Sequence, residues 1–311
     1  MRLVSLEPYI TELLLFFGER KNIVGISSRC RLAPEEGQQL AVVTVPKGGS
    51  SGPSVYHNVM LSRESLDLAA LKAAKPEVVI ASLVSSVPGE EPLQGELLGL
   101  QEELSGKIGN PIKLYTYNPT RLEEIFEDSD RLARQIKVTD RGSSIGKRAK
   151  AQLMDWGANF YDRMKNKKVT VIASVEPLHL GGLWIPDMVH ALSAVSQSKQ
   201  GSVIHPAVSW REIVEFRPDV IVVAPIGAAL KEAMAQFKIM EKWEGWETIP
   251  AVKRGEVVFC DGIDHFYNPG PKIIDSFGVM VSAIAGFESG YITKRDIFHR
   301  LRWLELQRHK L

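Results

Sequence analysis

Short apolar runs alternate with amphipathic stretches along the whole chain. Most of the runs are apolar at consecutive positions, as in strands covered on both faces; they lie at 3–6, 23–26, 78–83, 113–117, 169–175, 220–224 and 257–260. Between them, apolar residues three or four positions apart predict helices at 10–17, 64–74, 93–105, 121–136, 186–195, 210–216, 228–242 and 272–287. This alternation predicts an α/β fold in which helices cover mainly parallel sheets.

The two halves of the chain share one design. Residues 65–82 and 208–225 each read as an amphipathic helix that ends at a basic residue and a proline and leads directly into a strand. Between the halves, apolar residues at helical spacing predict one long helix from Gly146 onward. We therefore expect two lobes, each with a central sheet, joined by this helix. The predicted parts are an N-terminal lobe at 1–138, a linking helix at 139–168 and a C-terminal lobe at 169–311 that ends in a helix at 291–311.

Composition argues against several classes of protein. The 311 residues include 38 basic and 37 acidic ones, for a net charge of +1, so neither nucleic acid nor an anionic membrane is expected as a partner. The two cysteines form no C-x-x-C pair, which argues against a disulfide framework and a cysteine-based zinc site. No run reaches the roughly 18 apolar residues that span a bilayer. We expect a monomer that does not insert into a membrane.

The cellular location is predicted from the first residues of the chain. Residues 2–6 already read as the first strand, and no signal-peptide pattern precedes them. The cytoplasm is therefore expected, with the periplasm as the alternative if a leader has been removed.

Candidate ligand-binding residues follow the strands, because ligands of parallel α/β sheets bind outside the carboxyl ends of the strands. In the first half, Glu7 and Tyr9 follow the first strand and Arg29 follows the second. Arg29 can bind an anionic group of a ligand, and an ion pair with Glu7 is an equal alternative. Glu7 and Pro8 can also simply shape and cap the first helix. Tyr9 is expected to contact the ligand.

In the second half, the first candidate loop contains paired glycines and a tryptophan. Gly181 and Gly182 let a flat ligand approach the backbone, and Trp184 can cover the face of that ligand with a large, rigid ring. Burial of Trp184 against the helix that follows is the alternative. We expect Trp184 to contact the ligand.

The last loop combines aromatic faces with polar groups, as small-molecule pockets do. Its candidates for ligand binding are His265, Phe266 and Tyr267. His265, and His179 in the preceding candidate loop, can reach a metal centre of a ligand or act as plain hydrogen-bonding groups. Because no two histidines have metal-binding spacing, we expect no ion bound by the protein alone.

Several segments in a fixed order make the chain resemble the substrate-binding proteins of iron-siderophore and vitamin B12 importers, most closely the cobalamin-binding branch. They are "RLVSLEPYITELL" followed by "IVGISSRC", "KPEVVIA", "PTRLEEIFEDSDRLARQI", "EPLHLGGLWIPDMV", "VSWREIVEFRPDVIVVAPIG" and "IPAVKRGEVVFCDGIDHFYNPGPKIID". The resemblance implies two α/β lobes joined by one long helix. It also implies a membrane permease as partner, docked by one glutamate on each lobe. Those two positions fall near Ala69 and Arg211, beside the acids Asp67 and Glu212.

The resemblance implies a binding protein that holds a corrinoid, or a related siderophore or haem-like chelate, between its lobes. No nucleophile elbow, zinc-protease helix or dinucleotide fingerprint is present, so no catalytic residue is predicted. One alternative is a cytoplasmic enzyme that modifies tetrapyrroles or metal chelates, with His179, His265 and Glu176 or Glu7 as acid–base or metal-handling groups. A second alternative is an interaction protein with a vestigial cleft.

Overall fold

The computed structural model describes residues 1–34, 40–46, 64–82, 94–142, 144–201, 205–286 and 298–300. These residues divide into two compact units. The first contains the described residues of Met1–Ser51, Asn58–Pro119 and Glu123–Ile145, and the second contains those of Thr120–Leu122 and Gly146–Leu311. The boundaries expected at 138/139 and 168/169 stay predictions.

The first unit is built on a parallel sheet. Its strands are β1 (Leu3–Ser5), β2 (Ile23–Ile26), β3 (Ala41–Val42), β4 (Thr44–Pro46), β5 (Glu64–Leu66), β6 (Val78–Ala81) and β7 (Lys113–Thr116). The sheet has the order β3-β2-β1-β6-β7 and all its pairs are parallel, whereas β4 and β5 form a separate antiparallel pair. The helices are α1 (Pro8–Phe16), α2 (Leu68–Ala74), α3 (Gln94–Ile108), α4 (Leu122–Gln135) and α5 (Thr139–Gly142).

The second unit has a larger sheet of the same kind. Its strands are β8 (Lys168–Ser174), β9 (His179–Leu180), β10 (Val195–Ser196), β11 (Val220–Val223), β12 (Val257–Cys260) and β13 (Phe298–Arg300). The order is β10-β8-β11-β12-β13, with β13 antiparallel to β12 and β9 antiparallel to β8. The helices are α6 (Ser144–Met164), α7 (Ile185–Ala191), α8 (Trp210–Phe216), α9 (Leu230–Ala235), α10 (Phe237–Met240), α11 (Pro250–Arg254) and α12 (Ile273–Ala285).

The predicted α/β fold with helix-covered parallel sheets is confirmed. Strands β6, β11 and β12 are buried at every position, as expected for strands with helices on both faces. The long helix α6 is present, and its buried residues Ile145, Ala149, Trp156 and Met164 are among the apolar positions that predict it. Among the described residues, no helix is both long and apolar enough to cross a membrane.

Three local predictions differ from the structure. Glu64–Leu66 pairs with Thr44–Pro46 as a strand, and the helix expected from 64 begins only at Leu68, after its N-cap Asp67. The helix expected at 228–242 divides at Gln236 into α9 and α10. In the C-terminal helix expected at 291–311, Phe298–Arg300 is instead a strand that completes hydrogen bonds along β12. The rest of that segment, and the Gly/Ser-rich stretch at 46–54 beyond Pro46, lie outside the described residues.

Candidate functional site

An ion pair joins two loops at the carboxyl ends of β1 and β2. Arg29 Nη2 lies 2.8 Å from Glu7 Oε2. Glu7 is only 3% exposed, whereas Arg29 is half-buried. The ion pair that the sequence offered as an alternative is therefore observed. Glu7 occupies the N-cap position of α1 without a side-chain capping bond, and Pro8 is the first helical residue.

A chain of hydroxyl groups lies beside this ion pair. Thr11 Oγ1 donates to Ser5 Oγ at 2.8 Å, and Ser5 Oγ donates to the carbonyl oxygen of Glu7. Thr11 Oγ1 also lies 3.2 Å from Cys30 Sγ. Burial raises the pKa of the Cys30 thiol despite its hydroxyl neighbours. A thiol with a raised pKa stays mostly protonated at neutral pH and is therefore a weak nucleophile.

Tyr9 is more deeply buried than a surface contact residue. Its side chain is 7% exposed, and its ring centre lies 6.1 Å from that of Tyr117. Burial and the nearby Glu7 charge raise the pKa of the Tyr9 phenol, although a hydrogen bond with Ser82 opposes the shift. Ser82 Oγ donates to Asn118 Oδ1 at 2.8 Å. Sequence reasoning missed Ser82 and Asn118, although each lies at the carboxyl end of a predicted strand.

The Glu7–Arg29 pair gives a stability prediction. We expect Arg29→Ala to lower the free energy of unfolding by about 2 kcal/mol, because it removes the cation beside a buried carboxylate. Urea denaturation measures the change. The double variant Arg29→Ala/Glu7→Gln should recover part of the loss, since it no longer buries that charge. Lys165→Ala, which removes the exposed ion pair with Asp162, is the control and should change little. Equal losses for Arg29→Ala and the control would contradict the prediction.

In the second unit, the loop after β12 holds a histidine–aspartate pair. His265 Nδ1 lies 2.9 Å from Asp261 Oδ2, and His265 is 8% exposed. Burial pushes the pKa of Asp261 upward, but hydrogen bonds from His265 and from the amides of Ile263 and Asp264 outweigh it and leave that pKa below its usual value. The carboxylate is therefore ionised at neutral pH and favours the tautomer with a proton on Nδ1. Within the described residues, His265 Nε2 makes no hydrogen bond.

Trp184 and Phe266 form the interior of this region. Both side chains have 0% exposure, and Trp184 Nε1 donates to the carbonyl oxygen of Phe266 at 2.6 Å. This corrects the expectation that Trp184 and Phe266 offer open ring faces to a ligand, because neither ring reaches the surface. The buried alternative for Trp184 describes the structure.

The paired glycines serve close packing within the protein. A Cβ at Gly181 would lie 2.9 Å from a methyl group of Ile185 and 3.1 Å from one of Val171. The N–H of Gly182 donates to His205 Nδ1 at 3.0 Å. The space that the sequence suggested for a flat ligand at Gly181 is therefore filled by side chains of the same unit. His205 was not predicted, because neither a motif nor its spacing singles it out.

Tyr267 and His179 are more exposed than the other two aromatic candidates of this unit, Trp184 and Phe266. Tyr267 is half-buried, and its ring meets that of His205 edge-on with 5.1 Å between ring centres. Its hydroxyl oxygen is buried and has no hydrogen-bond partner among the described residues, and burial raises the pKa of the phenol. His179 is half-buried, and its Nδ1 lies 3.0 Å from the carbonyl oxygen of Pro177, which is the plain hydrogen-bonding role. No group of three or more potential metal ligands occurs in the described part of the chain.

Asp67 and Glu212, the acids beside the two expected permease-docking positions, stabilise the N-termini of α2 and α8. Asp67 caps α2 by accepting the N–H of Ala70 at 2.9 Å. Glu212 closes a capping box with Ser209 at the start of α8, and these hydrogen bonds lower the pKa of Glu212. The neighbouring residues Ala69 and Arg211 are exposed.

A known protein family and several solved structures share this architecture. The sequence model of the family described as "Periplasmic binding protein" matches residues 3–263. Similar solved structures include a possible iron-binding periplasmic protein of Staphylococcus epidermidis (TM-score 0.66, 18% identity, covering 91% of this chain and 98% of that one). The periplasmic vitamin B12-binding protein of Vibrio cholerae is also similar (0.61, 17%, 92% and 98%), as is a periplasmic haem-binding protein of Pseudomonas aeruginosa (0.63, 16%, 97% and 98%).

No curated protein matches the sequence. At these identities the solved structures establish the fold alone, and the family match establishes membership. The match covers most of the chain and every strand from β1 to β12. The chain therefore belongs to the periplasmic binding protein family.

Proposed function

We propose that this protein binds a metal chelate of the tetrapyrrole or siderophore class, with a corrinoid as the first candidate. The observation that carries the proposal is its membership of a ligand-binding family, with polar and aromatic side chains at the carboxyl ends of both parallel sheets. Similar structures are named for vitamin B12, haem and iron. B12 and haem are both large macrocycles around a metal, so their binding rests on burial of apolar area and on a few orienting polar groups.

The first unit, taken by itself, offers groups that suit the polar edge of such a chelate. Arg29 supplies a guanidinium whose position is fixed by Glu7, and such a group recognises the carboxylate or amide oxygens that surround a macrocycle. Tyr9, although mostly buried, adds a phenol that stays protonated and can donate a hydrogen bond.

The second unit supplies an imidazole and an aromatic ring. Asp261 holds His265 Nδ1, which leaves Nε2 as the nitrogen that can meet a metal centre or a polar substituent. Tyr267 offers its ring, and His179 lies in β9, which pairs with β8. Trp184 and Phe266 support this loop from the interior without touching the ligand.

A ligand panel tests the proposal. We expect cyanocobalamin, hemin or a ferric siderophore to raise the melting temperature, since a ligand at ten times its Kd adds about 1.4 kcal/mol to the free energy of unfolding. Calorimetric titration measures Kd. Citrate without iron, which is neither a macrocycle nor a metal chelate, is the control. A protein that ignores all three chelates would contradict the proposal and favour the interaction protein, whereas conversion of a bound chelate would favour the enzyme.

The cellular location is tested separately. The cytoplasm remains the expected location and the periplasm the alternative; fractionation of the native host decides between them. A permease partner remains a proposal from the resemblance.

A further inference from the structure

Two buried residues of the second unit have left-handed backbone conformations. Leu183 has φ 56° and Phe266 has φ 51°, and both side chains are fully buried. Residues with bulky side chains rarely adopt positive φ, because Cβ approaches the following carbonyl oxygen. Such residues persist only where surrounding contacts impose the conformation, and they often mark functional loops.

The peptide groups on both sides of Phe266 are fixed by side chains distant in sequence. Its carbonyl oxygen accepts the indole N–H of Trp184 at 2.6 Å, and its own N–H donates to Ser276 Oγ at 2.9 Å. Ser276 is fully buried on α12 and also donates to the carbonyl oxygen of Lys272. Two side-chain hydrogen bonds therefore hold the left-handed conformation of Phe266: Ser276 on α12 accepts its N–H, and Trp184 donates to its carbonyl oxygen.

Phe266 lies between the two candidate contact residues of its loop, His265 and Tyr267. Rotation of the Phe266 backbone towards negative φ would redirect both neighbours, because each shares a peptide bond with it. We propose that Trp184 is a positioning residue that holds Phe266 in its left-handed conformation and thereby sets the ligand-binding geometry of His265 and Tyr267. This inference rests on the proposed function.

Without the indole N–H, the buried carbonyl oxygen of Phe266 loses its donor and the left-handed conformation loses one of its two restraints. The fraction of molecules with the binding geometry then falls. The apparent Kd rises as the inverse of that fraction.

The matched pair Trp184→Phe and Trp210→Phe tests the inference. Both remove an indole-to-carbonyl hydrogen bond in the second unit, the latter the 2.7 Å bond from Trp210 to Glu244 on a different loop. With cyanocobalamin as probe, we expect Trp184→Phe to raise Kd about tenfold, which corresponds to about 1.4 kcal/mol. Trp210→Phe should leave Kd unchanged. Equal Kd values for the wild type and Trp184→Phe would overturn the inference.

Ser276→Ala provides a second route, because it removes the other restraint and leaves the Trp184 ring in place. It should also raise Kd for cyanocobalamin, and an unchanged Kd would count against the inference if Trp184→Phe fails to fold.

Hydrogen exchange separates this inference from the proposed function. Backbone amides at 263–268 should exchange several-fold faster in Trp184→Phe and in Ser276→Ala than in the wild type or Trp210→Phe. If the wild type binds no cyanocobalamin, the corrinoid proposal fails, and exchange alone decides the role of Trp184. Unchanged exchange at 263–268 in both variants would overturn that role whatever the ligand.

Discussion

Replacing Gly262 by alanine is expected to lower the free energy of unfolding of the second unit by about 3 kcal/mol, the upper part of the range for overpacking. A Cβ at this position would overlap the carbonyl oxygen of Pro225 and lie 2.8 Å from its carbonyl carbon. The neighbouring backbone cannot move aside easily, because Gly262 donates to the carbonyl oxygen of Ala228 and accepts from the N–H of Gly227. The loops after β11 and β12 are thus held at a separation that only glycine permits.

Gly157→Ala is the matched control for this substitution. Gly157 lies within α6, and a Cβ there would meet nothing within 4 Å. Because alanine favours helix, this variant should raise the free energy of unfolding by about 0.5–1 kcal/mol. Urea denaturation of both variants measures the difference. A Gly262→Ala protein as stable as the wild type would show that the two loops can separate at little cost.

Arg121→Ala is expected to have the second large effect, a loss of about 2–3 kcal/mol. Arg121 makes a two-pronged contact with the Asp187 carboxylate, at 2.7 Å through Nε and 2.9 Å through Nη2. The Asp187 side chain is 9% exposed and also accepts hydrogen bonds from the N–H of Leu122 and the amide of Gln200. Removing the guanidinium leaves this buried carboxylate without its cation. The loss falls below that of a fully buried pair because the Arg121 side chain is 39% exposed.

The control for Arg121 is an arginine with the same ion-pair distance at the surface. Arg211 Nε lies 2.7 Å from Glu215 Oε1, and both side chains are mostly exposed. Arg211→Ala should change the free energy of unfolding by less than about 0.5 kcal/mol. In the double variant Arg121→Ala/Asp187→Asn, part of the loss should return, since the buried charge is gone. Similar losses for Arg121→Ala and Arg211→Ala would show that burial of Asp187 contributes nothing.

The regular elements that could be predicted are those whose signals are local. The pattern predicts Ile23–Ile26, Val257–Cys260 and Trp210–Phe216 with their observed bounds. Ser209 and Pro218 bracket the last of these, so a cap and a helix breaker define both ends. Glu64–Leu66 and Phe298–Arg300 were missed because each is a strand only through its pairing partner, and its own composition does not favour extended backbone.

The candidate site was less accessible to sequence reasoning. The ion pair of Arg29 with Glu7 could be foreseen, because adjacent parallel strands place their following loops together. The contact between Trp184 and Phe266 joins residues 82 positions apart, and no periodicity or motif relates them. A tryptophan beside two glycines therefore reads equally well as an open ligand platform and as an interior residue, and only tertiary packing distinguishes the two.

The capping of α2 and α8 has a consequence for engineering. If Asp67 turned outward towards another protein it would release the N–H of Ala70 in the first helical turn, and if Glu212 did so it would release the N–H and the hydroxyl of the N-cap residue Ser209. Ala69 lies two residues after Asp67 and Arg211 one residue before Glu212; both are exposed, and neither takes part in the cap of its helix. Glutamates introduced at these two positions would lie near the positive end of each helix dipole and would leave both caps intact. Acidic groups for contact with a transporter could therefore be engineered into this protein.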